Sequence, residues 1–221
     1  MRCILVILDG LGDKGHPVLG GRTPLQAART PNLDRLAALG MNGLYHAWLQ
    51  GVALPSEMAH FLMFGYEREE FPGRGLIEAL GEGLTMDRGE VALLARLFSA
   101  VEQQDRLVID IYEPPFDPAE RRGLLEAVRI FRDEDIEIEF VPTRALQGLA
   151  VLRGAVSVDV TDSNPIHPGR PLMEVLPLKG REDDEAAQRT ARVLTSYVKW
   201  CHRQLSEHPV NRGRREAGRP L

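Results

Sequence analysis

Residues 4–13, ILVILDGLGD, decide how the rest of the chain is read. The apolar run from Cys3 to Leu8 has no polar break and ends at Asp9. A strand buried on both faces reads this way, and parallel sheets bury both faces. The stretch therefore predicts a buried strand of an α/β sheet. Asp9 would sit at its carboxyl end, where open α/β sheets place ligand chemistry. A carboxylate in that place, followed by Gly-Leu-Gly, suits a hard divalent cation. It equally suits a turn, since Asp favours such positions.

Working outward, residues 12–23 form a loop rich in glycine and polar residues. TPLQAA (23–28) and TPNLDRLAALG (30–40) each open with Thr-Pro, a cap followed by proline at the first helical position. Gly40 stops the second helix, and NGLYHAWLQ (42–50) predicts a short strand. In LPSEMAHFLMFGY (54–66), Ser56 opens a helix that Gly65 closes. Its hydroxyl could cap the helix, as serine commonly does. It could also attack a phosphoryl group, because helix N-terminal N–H groups and the macrodipole stabilise anionic oxygens. A serine nucleophile needs a base or a metal to activate it, and neither Glu57 nor His60 is placed as an obvious base.

The character of the chain changes near Thr85. GEVALLARLFSAVEQ, RLVIDIYE and LQGLAVLRG read as strands, and IEIEFVPT alternates as a half-buried strand should. PAERRGLLEAVRIFR (118–132) has helical spacing, with Leu124, Val128 and Phe131 on one face. From Glu182 to about Ser206 runs one amphipathic helix, followed by a basic, polar tail without apolar periodicity. The simplest division is a discontinuous core, 1–84 plus 179–221, interrupted by a smaller α+β unit at 85–178.

The bulk numbers narrow the class. Net charge is -5, which argues against nucleic-acid binding by the whole chain. No apolar stretch approaches the ~20 residues that span a bilayer, so no membrane is expected as a partner. Cys3 and Cys201 are far apart and make no metal-ligand spacing. These features predict a soluble cytoplasmic protein. The loop TDSNPIHPGRP (161–171) gathers Asp162, Asn164, His167 and Arg170. It reads either as a turn cluster or as a substrate loop that grips an anion. Arg74 in PGRG and Arg153 in VLRG could serve the same purpose.

Seven stretches resemble the archaeal-type cofactor-independent phosphoglycerate mutases of the alkaline phosphatase superfamily. They are ILVILDGLGD, LGGRTPLQAARTPNLDRLAALG, PSEMAHFLMFGY, GRGLIEALGEGL, LAVLRG, TDSNPIHPGRP and HPVNRGRREAG, in the family's order. The resemblance implies an alkaline-phosphatase-like α/β sandwich core, incomplete in this chain, with an inserted substrate-binding domain. It implies that Ser56 is the nucleophile and a metal ligand, and that Asp9 binds metal. Two divalent ions (manganese, magnesium or zinc) would assist phosphoryl transfer through a phosphoserine between 3- and 2-phosphoglycerate. A small phosphorylated substrate is the implied partner, and an uncovered core surface would favour homo-oligomers. The alternatives are a non-catalytic phosphate-ligand or partner-binding relative, and a phosphatase or phosphonate hydrolase of the superfamily. The sequence departs from the pattern at Glu57, where the family has Asp, and at QQDRLVIDIYEPPF, which replaces an arginine-rich stretch and keeps Arg106. The family's remaining metal ligands lie in a continuation beyond HPVNR, so the resemblance implies that this chain is an incomplete form with an incomplete ligand set.

Overall fold

The computed structural model describes residues 2–8 and 10–221. It contains helices and antiparallel sheets in two compact units, residues 1–65 and 66–221.

In the first unit, α1 (Pro24–Ala27) opens with a capping box: Thr23 Oγ1 accepts from the Gln26 N–H at 3.2 Å, and Gln26 Oε1 accepts from the Thr23 N–H at 2.9 Å. The second Thr-Pro behaves differently. Thr30 starts α2 (Pro31–Leu39), but its hydroxyl donates to Asp34 Oδ1 at 3.0 Å instead of capping the backbone. The helix α3 (Ser56–Met63) completes the unit. The strands expected over Cys3 to Leu8 and 42–50 are not formed. A strand is held by ladder hydrogen bonds to a neighbour, and among the described residues none lies N-terminal to Val91. Ile4 is 90% exposed and Leu44 94%.

The second unit is built on the sheet β1–β6–β5–β4, all antiparallel: β1 (Val91–Arg96), β6 (Gln147–Arg153), β5 (Ile136–Pro142) and β4 (Ile130–Asp133). The alternation in IEIEFVPT is realised, since Ile136, Ile138 and Phe140 are buried. With Val91, Ala150 and Leu152 the two isoleucines pack against the apolar stripe of α6 (Glu185–Glu207), which carries Ala191, Leu194 and Tyr197 at helical spacing. On the other face, Leu149 and Val151 meet Ala79 of α4 (Arg74–Gly81). The second compact unit runs from Tyr66 and includes both the 85–178 block and the 179–221 segment, whose α6 packs on the sheet.

A separate hairpin, β2 (Ser99–Gln103) and β3 (Arg106–Ile111), is followed by α5 (Pro118–Ala127). The helix expected over 118–132 stops at Ala127, and Ile130–Asp133 join the sheet as β4. There Phe131 packs on Tyr197 and Trp200, with ring centroids 5.5 and 5.2 Å away. The basic tail is a helix too. α7 (Pro209–Glu216) has His208 as its cap, Pro209 at its first position, and Asn211 and Arg214 buried. Among the described residues, no helix is long and apolar enough to cross a membrane.

Candidate functional site

Pro55 occupies the cap position of α3 with extended backbone (φ -56°, ψ 146°), and Ser56 is the first helical residue. Ser56 is exposed. Its hydroxyl caps nothing and has no hydrogen-bond partner among the described residues. The capping alternative is therefore not the one this helix uses. As the first helical residue, Ser56 belongs to the turn whose N–H groups lack intrahelical acceptors, at the positive end of the helix. His60 lies one turn on and is exposed. Asp9 lies outside the described residues.

The other candidates belong to the second unit. Arg74 is the exposed first residue of α4, following Gly73, whose φ of 90° sets the sharp approach to the helix. Arg153 ends β6 on the face that α4 covers. Its guanidinium is held by three carboxylates: Glu90 (Nε–Oε1 2.7 Å), Glu139 (Nη1–Oε2 2.9 Å) and Glu137 (Nη1–Oε1 3.4 Å). The hydrogen bond to Glu139 is the main reason its pKa rises above the ordinary arginine value, opposed by burial and reinforced by Glu90. Glu90 titrates below the usual carboxylate range. The chief cause is its hydrogen bond from the Asp87 N–H; burial opposes this and Arg153 adds to it. Arg153 is thus an internally compensated cation. It also lies at the opposite end of the β1–β6 ladder from Arg96, which pairs with Gln147.

The loop 161–171 is well built. Its backbone clamps the edge of β3: Ile109 N–H donates to Arg170 O at 3.0 Å, and Gly169 N–H donates to Ile109 O at 2.7 Å. Asp162 Oδ1 accepts from the Asn164 N–H at 2.8 Å, an Asx turn. Asn164 Oδ1 accepts from the Ile166 N–H at 2.8 Å, and Asn164 Nδ2 donates to Tyr112 Oη at 2.7 Å. Ile166 takes left-handed backbone, φ 70°, a conformation that costs energy for a β-branched residue and is held by these bonds. His167 and Arg170 are exposed. Of the two readings left open for this loop, the turn chemistry is present in its Asx turn and its side-chain bonds to backbone.

Sequence reasoning missed the partners the loop meets. Arg96 ends β1 with its guanidinium 4.6 Å from the Tyr112 ring centroid, and Tyr112 stacks on Phe98 at 6.3 Å. No single motif joins these residues; the β2–β3 hairpin, which sets Ser99 opposite Ile111, brings Arg96 and Phe98 beside Tyr112. Among the described residues there is no group of three or more His, Cys, Asp or Glu side chains that could hold a metal ion. The described residues therefore do not themselves make up a metal centre, and no chemical step is assigned to one.

The comparisons with known proteins agree on one family. The model of 2,3-bisphosphoglycerate-independent phosphoglycerate mutase matches residues 37–211. An enzyme of that name from Methanopyrus kandleri is 40% identical over 99% of this chain and 52% of its own length. The second such enzyme of Methanocaldococcus jannaschii is 37% identical, over 98% of this chain and 52% of its own length. The chain thus spans about half the length of the curated relatives it matches. Among solved structures, the cofactor-independent phosphoglycerate mutase of Thermoplasma acidophilum superposes with a TM-score of 0.56 at 30% identity, covering 97% of this chain and 55% of that one.

Proposed function

The chain belongs to the 2,3-bisphosphoglycerate-independent phosphoglycerate mutase family, and from that premise we propose that it carries the nucleophile and part of the substrate site of a phosphoryl transfer between 3- and 2-phosphoglycerate. The observation that carries this reading is the exposed, uncapped hydroxyl of Ser56 at the start of α3. In the proposed reaction, Ser56 Oγ forms a bond to phosphorus as the bond to O3 of the glycerate breaks. The phosphoserine then gives its phosphoryl group to O2, and the net change is isomerisation. The helix N-terminus favours the anionic phosphoryl oxygens throughout.

The finer assignments are part of the same proposal. Asp9 and Ser56 are this chain's contribution to a divalent-metal requirement of the whole protein, the two ions being manganese, magnesium or zinc. Arg74, Arg153, Asp162, Asn164, His167 and Arg170 bind substrate, with Arg153 held in place by its three carboxylates. In the whole protein, 1–84 and 179–221 belong to an alkaline-phosphatase-like core with 85–178 inserted, acting in the cytoplasm. The exposed apolar surface of the first unit favours self-association.

The test is a phosphoserine trap. The whole protein is incubated with 3-phosphoglycerate and manganese, quenched, and its peptides are weighed. Phosphate on Ser56, lost in Ser56→Ala, is the expected result. Turnover with no phosphate on Ser56 would overturn the assignment. Hydrolysis of nitrophenyl phosphate without isomerisation would select a phosphatase of the same superfamily.

A further inference from the structure

We propose that Arg96 and Tyr112, backed by Asn164, form the seat for the substrate carboxylate, and that Glu113 holds this seat in the present structure. The inference rests on the phosphoglycerate reading above and specifies which end of the substrate the second unit grips.

Three observations carry it. First, the Arg96 guanidinium lies over the Tyr112 ring, 4.6 Å from its centroid, and the side chain keeps 21% of its surface. The ring contact restrains the guanidinium while its N–H groups remain directed to a carboxylate, the group a guanidinium can recognise bidentately. Second, what meets that edge is a carboxylate from the chain itself. Arg96 Nη1 donates to Glu113 Oε1 at 3.3 Å. This is long for a charge-assisted bond, and Glu113 is 76% exposed. An ion pair of that kind contributes little, so an incoming carboxylate can displace it. Third, the Tyr112 hydroxyl is oriented. Asn164 Oδ1 is engaged by the Ile166 N–H, which fixes the amide so that Nδ2 donates to Tyr112 Oη. The hydroxyl is therefore an acceptor toward the loop, and its own proton has no acceptor among the described residues. A guanidinium fork and an O–H donor on one stacked pair match the two oxygens of a carboxylate.

The same arrangement explains why the loop is held in strained backbone at Ile166. The Asn164–Ile166 bond holds that backbone and the amide orientation together, and the amide in turn orients the Tyr112 hydroxyl.

Binding of D-glycerate, 3-phosphoglycerate and inorganic phosphate to the full chain, measured by calorimetric titration, tests the proposal. Glu113→Gln removes the competing carboxylate and is expected to tighten D-glycerate and 3-phosphoglycerate several-fold. Arg96→Gln and Arg96→Lys are expected to weaken both by roughly tenfold or more, as loss of a charge-assisted bond does. Tyr112→Phe weakens them less, and inorganic phosphate is unaffected by any of the four. Unchanged glycerate affinity in Glu113→Gln overturns the proposal whether or not the Arg96 variants fold. So does a response of inorganic phosphate alone, or no glycerate binding to any form. Phosphate on Ser56 without any glycerate response would remove the seat and leave the transfer standing. A glycerate response without phosphate on Ser56 would do the reverse.

Discussion

Arg214 of α7 is buried to 1% exposure and donates from Nη1 to Glu120 Oε2 of α5 at 2.8 Å. Its other nitrogens reach backbone: Nε donates to Pro220 O at 2.7 Å and Nη2 to Pro115 O at 2.9 Å. The guanidinium also covers the Phe116 ring at 3.9 Å. One side chain thus joins the end of the chain to the start of α5. Removing Arg214 takes the donor from Pro220 O and Pro115 O at once and leaves Glu120 its ion pair with Arg219. Arg214→Ala is expected to lower the unfolding free energy of the second unit by about 3–5 kcal/mol in urea titration. Arg219 also reaches Glu120 but is 49% exposed, and its alanine variant should lose about 0–1 kcal/mol. Equal losses in the two variants would show that burial is not what matters.

The carboxylates of these clusters give the protein an acid limit. Glu120 titrates below the usual range. Burial pushes it up, but hydrogen bonds from Arg219 and from the Asp117 N–H, with the charges of Arg219 and Arg214, outweigh that. Glu90 is lowered as well. A depressed folded-state value means that the unfolded chain binds protons first as pH falls. The contribution is complete above the ordinary value of 4.5 and is lost as pH drops below it toward the folded-state values. Urea midpoints should be flat from pH 7 to about 5 and fall below about 4.5. The double variant Glu90→Gln, Glu120→Gln should flatten that fall, and an unchanged acid limb would assign it to other groups.

How much of this was legible depended on which side chains do the packing. The alternation at 136–142 and the long stripe of α6 were readable because apolar residues carry both. α7 was not, because the face it buries is Asn211 and Arg214, polar groups that leave no apolar period. The usable signal was His208-Pro209, a cap with proline at the first helical position. The end of α5 was misjudged because Val128 and Phe131, three apart, fit a helix face as well as the start of a strand. Among the candidate residues, the helix start at Ser56 and the turns of the 161–171 loop were readable from local chemistry. The three carboxylates around Arg153 were not, since β5–β6 register sets Glu137 and Glu139 beside it and Glu90 comes from a distant stretch; nor was the Arg96–Tyr112 pair, which exists only once the β2–β3 hairpin closes.

Gly75 allows α4 to approach the sheet. A Cβ built there would lie 1.9 Å from the Ala92 carbonyl oxygen and 2.6 Å from its carbon, backbone that cannot swing aside. Gly→Ala within a helix ordinarily stabilises by about 1 kcal/mol. At this position the sign should reverse, with Gly75→Ala destabilising by about 1–3 kcal/mol through overpacking. Gly81 ends the same helix with nothing near its would-be Cβ, so Gly81→Ala serves as the control and should be neutral or stabilising. Gain of stability in both would mean that α4 does not pack this closely on β1.

The two units should differ sharply in protection. No described residue of 2–65 is buried, and Val6, Leu36, Leu39 and Met41 are more than two-thirds exposed. Its helices are held by local bonds such as the Thr23–Gln26 box, and short helices without packing are marginal in water. The second unit has a core on both faces of its sheet. Opening free energies follow buried apolar contacts. In native-state hydrogen exchange, amides of β5, β6 and α6 should approach the global stability, while those of α1 to α3 exchange at nearly unprotected rates. Trypsin should cut after Arg22, Arg29 and Arg35 before it cuts anywhere in α6. Strong protection of α3 in this chain would show that Ser56 sits on a firmly folded element. That would also remove the expectation of self-association, since the apolar side chains now exposed would then have to be packed.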